Sequence, residues 1–215
     1  MYRIVGETVK EEELERLKNM LVIEESLYDE GYECICGVDE AGRGPLCGPV
    51  VAAAVILPKH GCIEGVNDSK KISEKKREKL YDDIMKGAIA VGIGISDVDV
   101  IEKVNILNAT KIAMKKAIES LSIKPDYVLI DGNQKIDIDI LQETVVSGDA
   151  KSESIASASI IAKVTRDRML RKFDEMYPEY GFAKHKGYGT KAHIEAIKKY
   201  GLTPIHRKSF CTKFI

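Results

Sequence analysis

Gly37-Val38-Asp39-Glu40-Ala41-Gly42-Arg43-Gly44-Pro45-Leu46-Cys47-Gly48-Pro49-Val50 sets two adjacent acids just before a glycine-rich turn that holds one arginine. Upstream, Cys34 to Val38 reads as a short apolar strand; downstream, Val50 to Leu57 reads as a second, bounded by Pro49 and Pro58. The acid pair therefore stands at a strand end. A carboxylate there is costly unless it is solvated, hydrogen-bonded or bound to a cation, so Asp39 and Glu40 invite a functional reading that surface acids do not. Gly42 and Gly44 permit positive φ or a close backbone approach, and Arg43 between them can reach a phosphate or a sugar. An ordinary tight turn fits the same residues. The segment lacks the third glycine and the helix onset of a dinucleotide-binding turn.

Outward from this segment, strands and helices alternate. Helices are expected over Lys10 to Tyr28 and over Ser73 to Lys86, the latter with Ser73 as N-cap. Ala88 to Ser96 reads as a third strand, and Val98 to Leu121 as one or two helices broken near Asn105. Tyr127 to Ile130 is a short buried strand ending at Asp131-Gly132, and Glu143 to Val146 is another, ending at Ser147-Gly148-Asp149. A long helix rich in Ala and Ser runs from Ser152 to about Tyr177, and Thr190 to Tyr200 forms a last one before a tail containing Pro204.

A strand thus runs into an acid three times, at Asp39-Glu40, Asp131 and Asp149, and neighbouring strand ends would bring these groups together. Four carboxylates in one site raise one another's pKa values unless cations neutralise them, which implies hard, oxygen-preferring ions such as Mg²⁺ or Mn²⁺. A pair of such ions can orient water, neutralise a phosphoryl oxygen and stabilise the leaving oxygen, chemistry that suits phosphodiester hydrolysis. Asp97, Asp99, Asp137 and Asp139 lie in polar alternating segments where a solvated face is the ordinary explanation.

The 215 residues, 44% hydrophobic and 31% charged, suit one soluble domain with a sizeable core. No run is apolar and long enough to cross a bilayer, and the acid-rich N-terminus does not resemble a signal peptide, so a cytoplasmic location is expected. Five cysteines without a C-x-x-C pair read as free thiols. The net charge of −1 implies no general affinity for polyanions. Yet Lys184 to Lys213 carries eight Lys and Arg against the single acid Glu195, with Tyr188, Tyr200 and three histidines interleaved. That end could face a phosphate backbone, or could simply be solvated. Lys70, in the loop Asn67 to Lys71, has the same two readings.

Beyond spacing, the segments Gly37 to Val50, Asn67-Asp68-Ser69-Lys70-Lys71-Ile72-Ser73, Leu129-Ile130-Asp131-Gly132, Gly148 to Arg168 and His185 to His193 together resemble bacterial ribonuclease HII, in the order expected of that family. The resemblance implies an α/β ribonuclease H-like fold: a five-stranded mixed sheet flanked by helices, with a helical C-terminal part covering the substrate. Residues 1–30 would form an N-terminal helical extension, 31–180 the catalytic core, and 181–215 the substrate-covering segment of the same domain. The family's catalytic, metal-binding acids fall on Asp39, Glu40, Asp131 and Asp149, with Asp39 shared by two ions. Gly42-Arg43-Gly44 resembles the segment that reads the ribose 2′-hydroxyl, where a side chain at either glycine should obstruct the approach. Tyr188 resembles the tyrosine that senses the RNA-to-DNA junction, although a half-buried core tyrosine would look the same in sequence. Lys70 and Lys151 are the lesser candidates for phosphate contacts. Lys163, Arg166 and Arg168 are expected to serve the long helix, whose Ser and Ala at Ser154 to Ala162 suit close packing on the sheet.

The implied reaction is hydrolysis on the 5′ side of a ribonucleotide, leaving a 3′-hydroxyl and a 5′-phosphate, with no role for histidine or cysteine. The implied substrates are RNA/DNA hybrids and single ribonucleotides embedded in duplex DNA. The chain is expected to act as a monomer, and its tail, Ser209 to Ile215, only faintly matches the short C-terminal motif with which some members bind a sliding clamp. Two alternatives stand beside this. A ribonuclease HIII-like enzyme would carry more N-terminal sequence and lack Gly-Arg-Gly, and a non-catalytic nucleic-acid-binding module would not need all four acids.

Overall fold

The computed structural model describes residues 3–5 and 11–215, so Lys10 lies outside the described residues. The first half forms β1 (Arg3–Val5), α1 (Glu11–Met20), α2 (Val22–Asp29), β2 (Ile35–Ala41), β3 (Val50–Ile56), β4 (Gly61–Ile63), α3 (Glu74–Gly87), β5 (Ala90–Ser96) and α4 (Val98–Glu119). The second half forms β6 (Tyr127–Asp131), β7 (Leu141–Val145), a 3-10 turn (Gly148–Ala150), α5 (Glu153–Met176), α6 (Phe182–His185), α7 (Lys191–Tyr200) and α8 (Lys208–Cys211).

Five strands make the main sheet in the order β5-β3-β2-β6-β7. β2 pairs antiparallel with β3 and parallel with β6, so the sheet is mixed, as expected. Side chains alternate across a strand, which divides the core in two. Cys36 and Val38 of β2, with Ala52 and Ala54 of β3, pack against Ala109, Ala113, Met114 and Ala117 of α4. On the opposite face, Ala53 and Val55 meet Leu80 and Ile84 of α3 and Ala156, Ala158 and Ile160 of α5. The Ser and Ala of α5 therefore serve close packing. Gly37 shows how close, since a Cβ there would lie 2.2 Å from the Ser154 carbonyl carbon.

Local chemistry explains the element boundaries. The Ser73 hydroxyl accepts from Lys76 N–H, and Ser152 accepts from Ile155 N–H, capping α3 and α5. The break in α4 falls at Asn105, with φ 68° and ψ 168°. Its side chain accepts from Asn108 N–H at 3.1 Å, so one residue both interrupts the first half of the helix and caps the second.

Three features depart from the sequence reading. The N-terminal helix is two helices, α1 and α2. β1 and β4 form a separate two-stranded parallel sheet that was not anticipated, because three residues are too few to show alternation. Asp149 lies not at the end of β7 but in the 3-10 turn beyond it.

Candidate active site

β2 delivers Asp39 and Glu40 at its C-terminal end, opposite Ala53 and Ala52 of β3, whose small side chains leave the acids room. The last β2–β6 pair is Val38 with Ile130, so Asp39 and Asp131 are the next residues on adjacent parallel strands. Asp131 Oδ1 accepts from Gly148 N–H at 2.7 Å, which ties the end of β6 to the turn that bears Asp149. All four predicted acids thus meet at one edge of the sheet.

Their electrostatics are unfavourable without a cation. Asp39 is 5% exposed; burial first, then the charges of Glu40 and Asp131, push its pKa well above the usual carboxylate range, against hydrogen bonds from Ser159 and from Glu40 N–H. Burial also raises Glu40, where Arg43, at 3.4 Å, opposes the charge of Asp131. Asp149 is raised by burial as well, countered by Lys70 at 3.5 Å and reinforced by Asp131. Four clustered oxygen donors, two buried and two half-buried, fit a hard divalent cation.

The Gly-Arg-Gly turn follows directly. Gly42 takes φ +103°, and a Cβ there would lie 2.2 Å from Arg166 Nε, whereas a Cβ on Gly44 would meet only the Tyr188 ring, at an ordinary 3.6 Å. The two glycines are therefore not equivalent: Gly42 is demanded by the protein itself, while Gly44 is open toward the half-exposed Tyr188. Lys70 lies beside the acids, but Lys151 turns its ammonium to the Val146 carbonyl at 2.8 Å.

Two residues missed as site determinants are buried arginines. Arg166 does not serve its helix. It donates to the carbonyls of Cys47, Pro49 and Lys186 at 2.9–3.0 Å and so joins the glycine turn to the Tyr188 loop. Arg207, from the tail, donates to the carbonyls of Gly42, Arg43, Pro45 and Gly48 at 2.6–3.0 Å. No spacing in the sequence signals contacts this distant along the chain. Lys163, by contrast, stays on its helix with Asp167, and Arg168 pairs with Glu78 of α3.

A second group of donors, Cys47, His193 and His206, is buried near the turn, with its ligand atoms within 4.8 Å of one another. Both histidines are engaged in hydrogen bonds through both ring nitrogens. The carboxylate edge is the better cation site.

Carboxylates gathered at the strand ends of a mixed five-stranded sheet suit metal-dependent phosphodiester hydrolysis. The ribonuclease HII family model matches residues 36–213. Ribonuclease HII of Acetivibrio thermocellus is 62% identical over 95% of this chain and 80% of its own length. Among solved structures, ribonuclease H2 of Pyrococcus horikoshii aligns with a TM-score of 0.70 at 29% identity, covering 84% of this chain and 96% of that one. The RNase HII in a PCNA complex from Archaeoglobus fulgidus aligns at 0.68 and 25%, covering 83% and 94%. The chain belongs to the ribonuclease HII family, and with that family it is a metal-dependent ribonuclease H, an endonuclease acting on nucleic acid.

Proposed function

We propose that this chain hydrolyses the phosphodiester on the 5′ side of a ribonucleotide, both in RNA/DNA hybrids and at single ribonucleotides embedded in duplex DNA, leaving 3′-hydroxyl and 5′-phosphate ends. The observation that carries this reading is adjacency. β2 ends in two of the four acids and continues within three residues into Gly42-Arg43-Gly44, which lies against Tyr188. Residues suited to chemistry and residues suited to reading a ribose thereby lie side by side.

Asp39, Glu40, Asp131 and Asp149 would hold Mg²⁺ or Mn²⁺, two ions when substrate is bound, with Asp39 shared between them. When bound, such ions activate water, neutralise phosphoryl charge and stabilise the leaving oxygen. The protein's part is placement. Gly44 leaves space for the backbone to approach the 2′-hydroxyl, the one group that separates ribose from deoxyribose. Tyr188 offers an exposed ring on which the following deoxyribose can pack. Lys70, largely exposed beside Asp149, can swing to a phosphate, and Lys151 and Arg43 are further candidates for backbone contacts. No histidine or cysteine is needed as acid or base.

We extend the proposal to a monomer in the cytoplasm, in which residues 1–30 are an extension to the core and 181–215 cover the substrate. Among the described residues no helix is long and apolar enough to cross a membrane. The Archaeoglobus fulgidus relative in its PCNA complex supports a clamp contact. Here Phe210 and Phe214 pack into the C-terminal cluster, so a contact through the tail requires Phe214 to be released.

The test is cleavage of a DNA duplex containing one ribonucleotide, with Mg²⁺ and then Mn²⁺, beside an all-DNA duplex and the Asp39→Asn variant. Metal-dependent nicking 5′ of the ribonucleotide, absent from both controls, is expected. Cleavage of continuous hybrids alone would remove the junction-reading role, and full activity in Asp39→Asn would remove the carboxylate assignment.

A further inference from the structure

Behind Tyr188 runs a chain of hydrogen bonds whose direction is fixed from both ends. Thr203 N–H donates to His206 Nδ1 at 2.9 Å, and the Thr203 hydroxyl lies 2.8 Å from the same nitrogen. An amide N–H can only donate, so His206 Nδ1 carries no proton and the neutral ring must carry its proton on Nε2. That nitrogen lies 3.0 Å from His193 Nε2 and donates to it. His193 then holds its own proton on Nδ1, which donates to the Tyr188 carbonyl oxygen at 2.9 Å. Each tautomer follows from the one before it.

The rings are built in. His193 is 0% and His206 2% exposed, and burial pushes the pKa of each down to about 4, so both are neutral near pH 7. His185 stacks on His193 at 4.3 Å, Phe182 meets His193 edge-on, and Tyr188 N–H donates to the His185 carbonyl. The Tyr188 N–H is thus held by His185, and its carbonyl is shared between His193 Nδ1–H and Thr190 N–H, the latter at 2.8 Å, while its side chain is half exposed toward Gly44.

We infer that His193 and His206 are positioning residues of the ribonucleotide-selectivity device, relaying the place of the Thr203 turn to the Tyr188 backbone so that the Tyr188 ring stays against Gly44. This rests on the reading of Tyr188 as the residue that senses the junction. Zinc held by Cys47, His193 and His206 is the competing use of the same side chains. It would require a lone pair on His206 Nε2, yet the other nitrogen of that ring already accepts an amide proton.

The experiment compares His193→Leu, which deletes the relay, with His193→Asn, whose amide places a donor where Nδ1 stood. The readout is the rate on a single-ribonucleotide duplex divided by the rate on a continuous hybrid, with melting temperatures recorded for every variant. His193→Leu should lower the ratio about fivefold, the weight of one lost hydrogen bond, and His193→Asn should restore most of it. In a Tyr188→Ala background His193→Leu should change the ratio no further, since the relay acts through Tyr188. Nitrogen-15 NMR of the wild type should show the Nε2–H tautomer at His206 and the Nδ1–H tautomer at His193, unchanged by added Zn²⁺. Equal loss in the Leu and Asn variants, additivity with Tyr188→Ala, the opposite tautomers, or Zn²⁺ bound by both rings would each overturn the inference. If Tyr188→Ala alone leaves the ratio unchanged, the reading of Tyr188 has failed; if Tyr188→Ala lowers it and His193→Leu does not, only the relay has.

Discussion

The carboxylate edge and the Tyr188 loop meet at one glycine-rich turn and are built by opposite means. At the edge, Asp39 and Asp149 are buried and Glu40 and Asp131 half-buried, and burial together with neighbouring carboxylates raises the pKa values of Asp39, Glu40 and Asp149. At the turn, most carbonyls from Gly42 to Pro49 accept from Arg166 or Arg207, and among the described residues neither guanidinium is in an ion pair with an acid. One region is suited to a cation, while the other is held by partners within the chain. Substitutions in the first should therefore separate activity from stability, and substitutions in the second should lower both together.

The sharpest test of that contrast is Asp39→Asn. Cleavage should fall on the order of a thousandfold or more, as when a group acting on the transition state is removed. Stability without divalent ions should nonetheless rise, by about 1 kcal/mol, because a buried carboxylate facing two others becomes neutral. Single-turnover cleavage and a melt in chelator check the two halves, and a lower melting temperature would break the contrast.

Arg207→Met tests the other side. Burial and the nearby Arg166 charge lower the Arg207 pKa to about 10, which leaves it charged at neutral pH. Its loss strands the carbonyls of Gly42, Arg43, Pro45 and Gly48 in a buried site, at about 3–5 kcal/mol. Urea unfolding should show that cost, and cleavage should fall with it. Unchanged stability would mean that the turn holds its shape without the guanidinium.

A smaller effect distinguishes the two glycines within the turn. Gly42→Ala must place a Cβ against Arg166 at positive φ, and should destabilise by about 2 kcal/mol or more. Gly44→Ala meets only the Tyr188 ring and should leave stability within about 0.5 kcal/mol, while reducing discrimination between ribose and deoxyribose. Denaturation midpoints, and cleavage of duplexes with and without a ribonucleotide, read the pair. Equal destabilisation would erase the distinction.

The same contrast explains what the sequence disclosed. Asp39-Glu40 and Asp131 were legible as candidates because each closes an apolar run, whereas the parallel pairing of β2 with β6 and the turn that carries Asp149 emerge only in the structure. The break near Asn105 and the cap at Ser73 were legible for a similar reason, since capping chemistry is local. Arg166 and Arg207 were not, because a charged residue in a helix or a tail carries no mark of burial. Their partners are backbone carbonyls, which every residue possesses. The neutral state of His193 and His206 was hidden likewise, since it depends on Thr203 and Tyr188 folding around them. Spacing reveals a site built from side-chain identity, whereas a site built from backbone geometry becomes visible only in three dimensions.

The smallest expected effect concerns a carboxylate just behind the site. Glu153, in the first turn of α5, is fully buried; it accepts from Ile63 N–H at 3.0 Å through one oxygen, and the other has no hydrogen-bond partner. Burial, reinforced by the charge of Glu24, pushes its pKa up to about 8 from an unfolded value of 4.5. Between those values the folded state holds a proton that the unfolded state releases. The stability contributed by protonated Glu153 is therefore whole below about pH 4.5 and is lost as pH rises toward about 8. Glu153→Gln cannot titrate and should flatten that decline, leaving the variant the more stable by about 1 kcal/mol above pH 8. Below about pH 5 the order should reverse, because the amide would bury a second N–H where protonated Glu153 needs to satisfy only one O–H. Urea midpoints across this range decide it: parallel curves would show that Glu153 already ionises near its unfolded value, and that the start of α5 tolerates a buried charge.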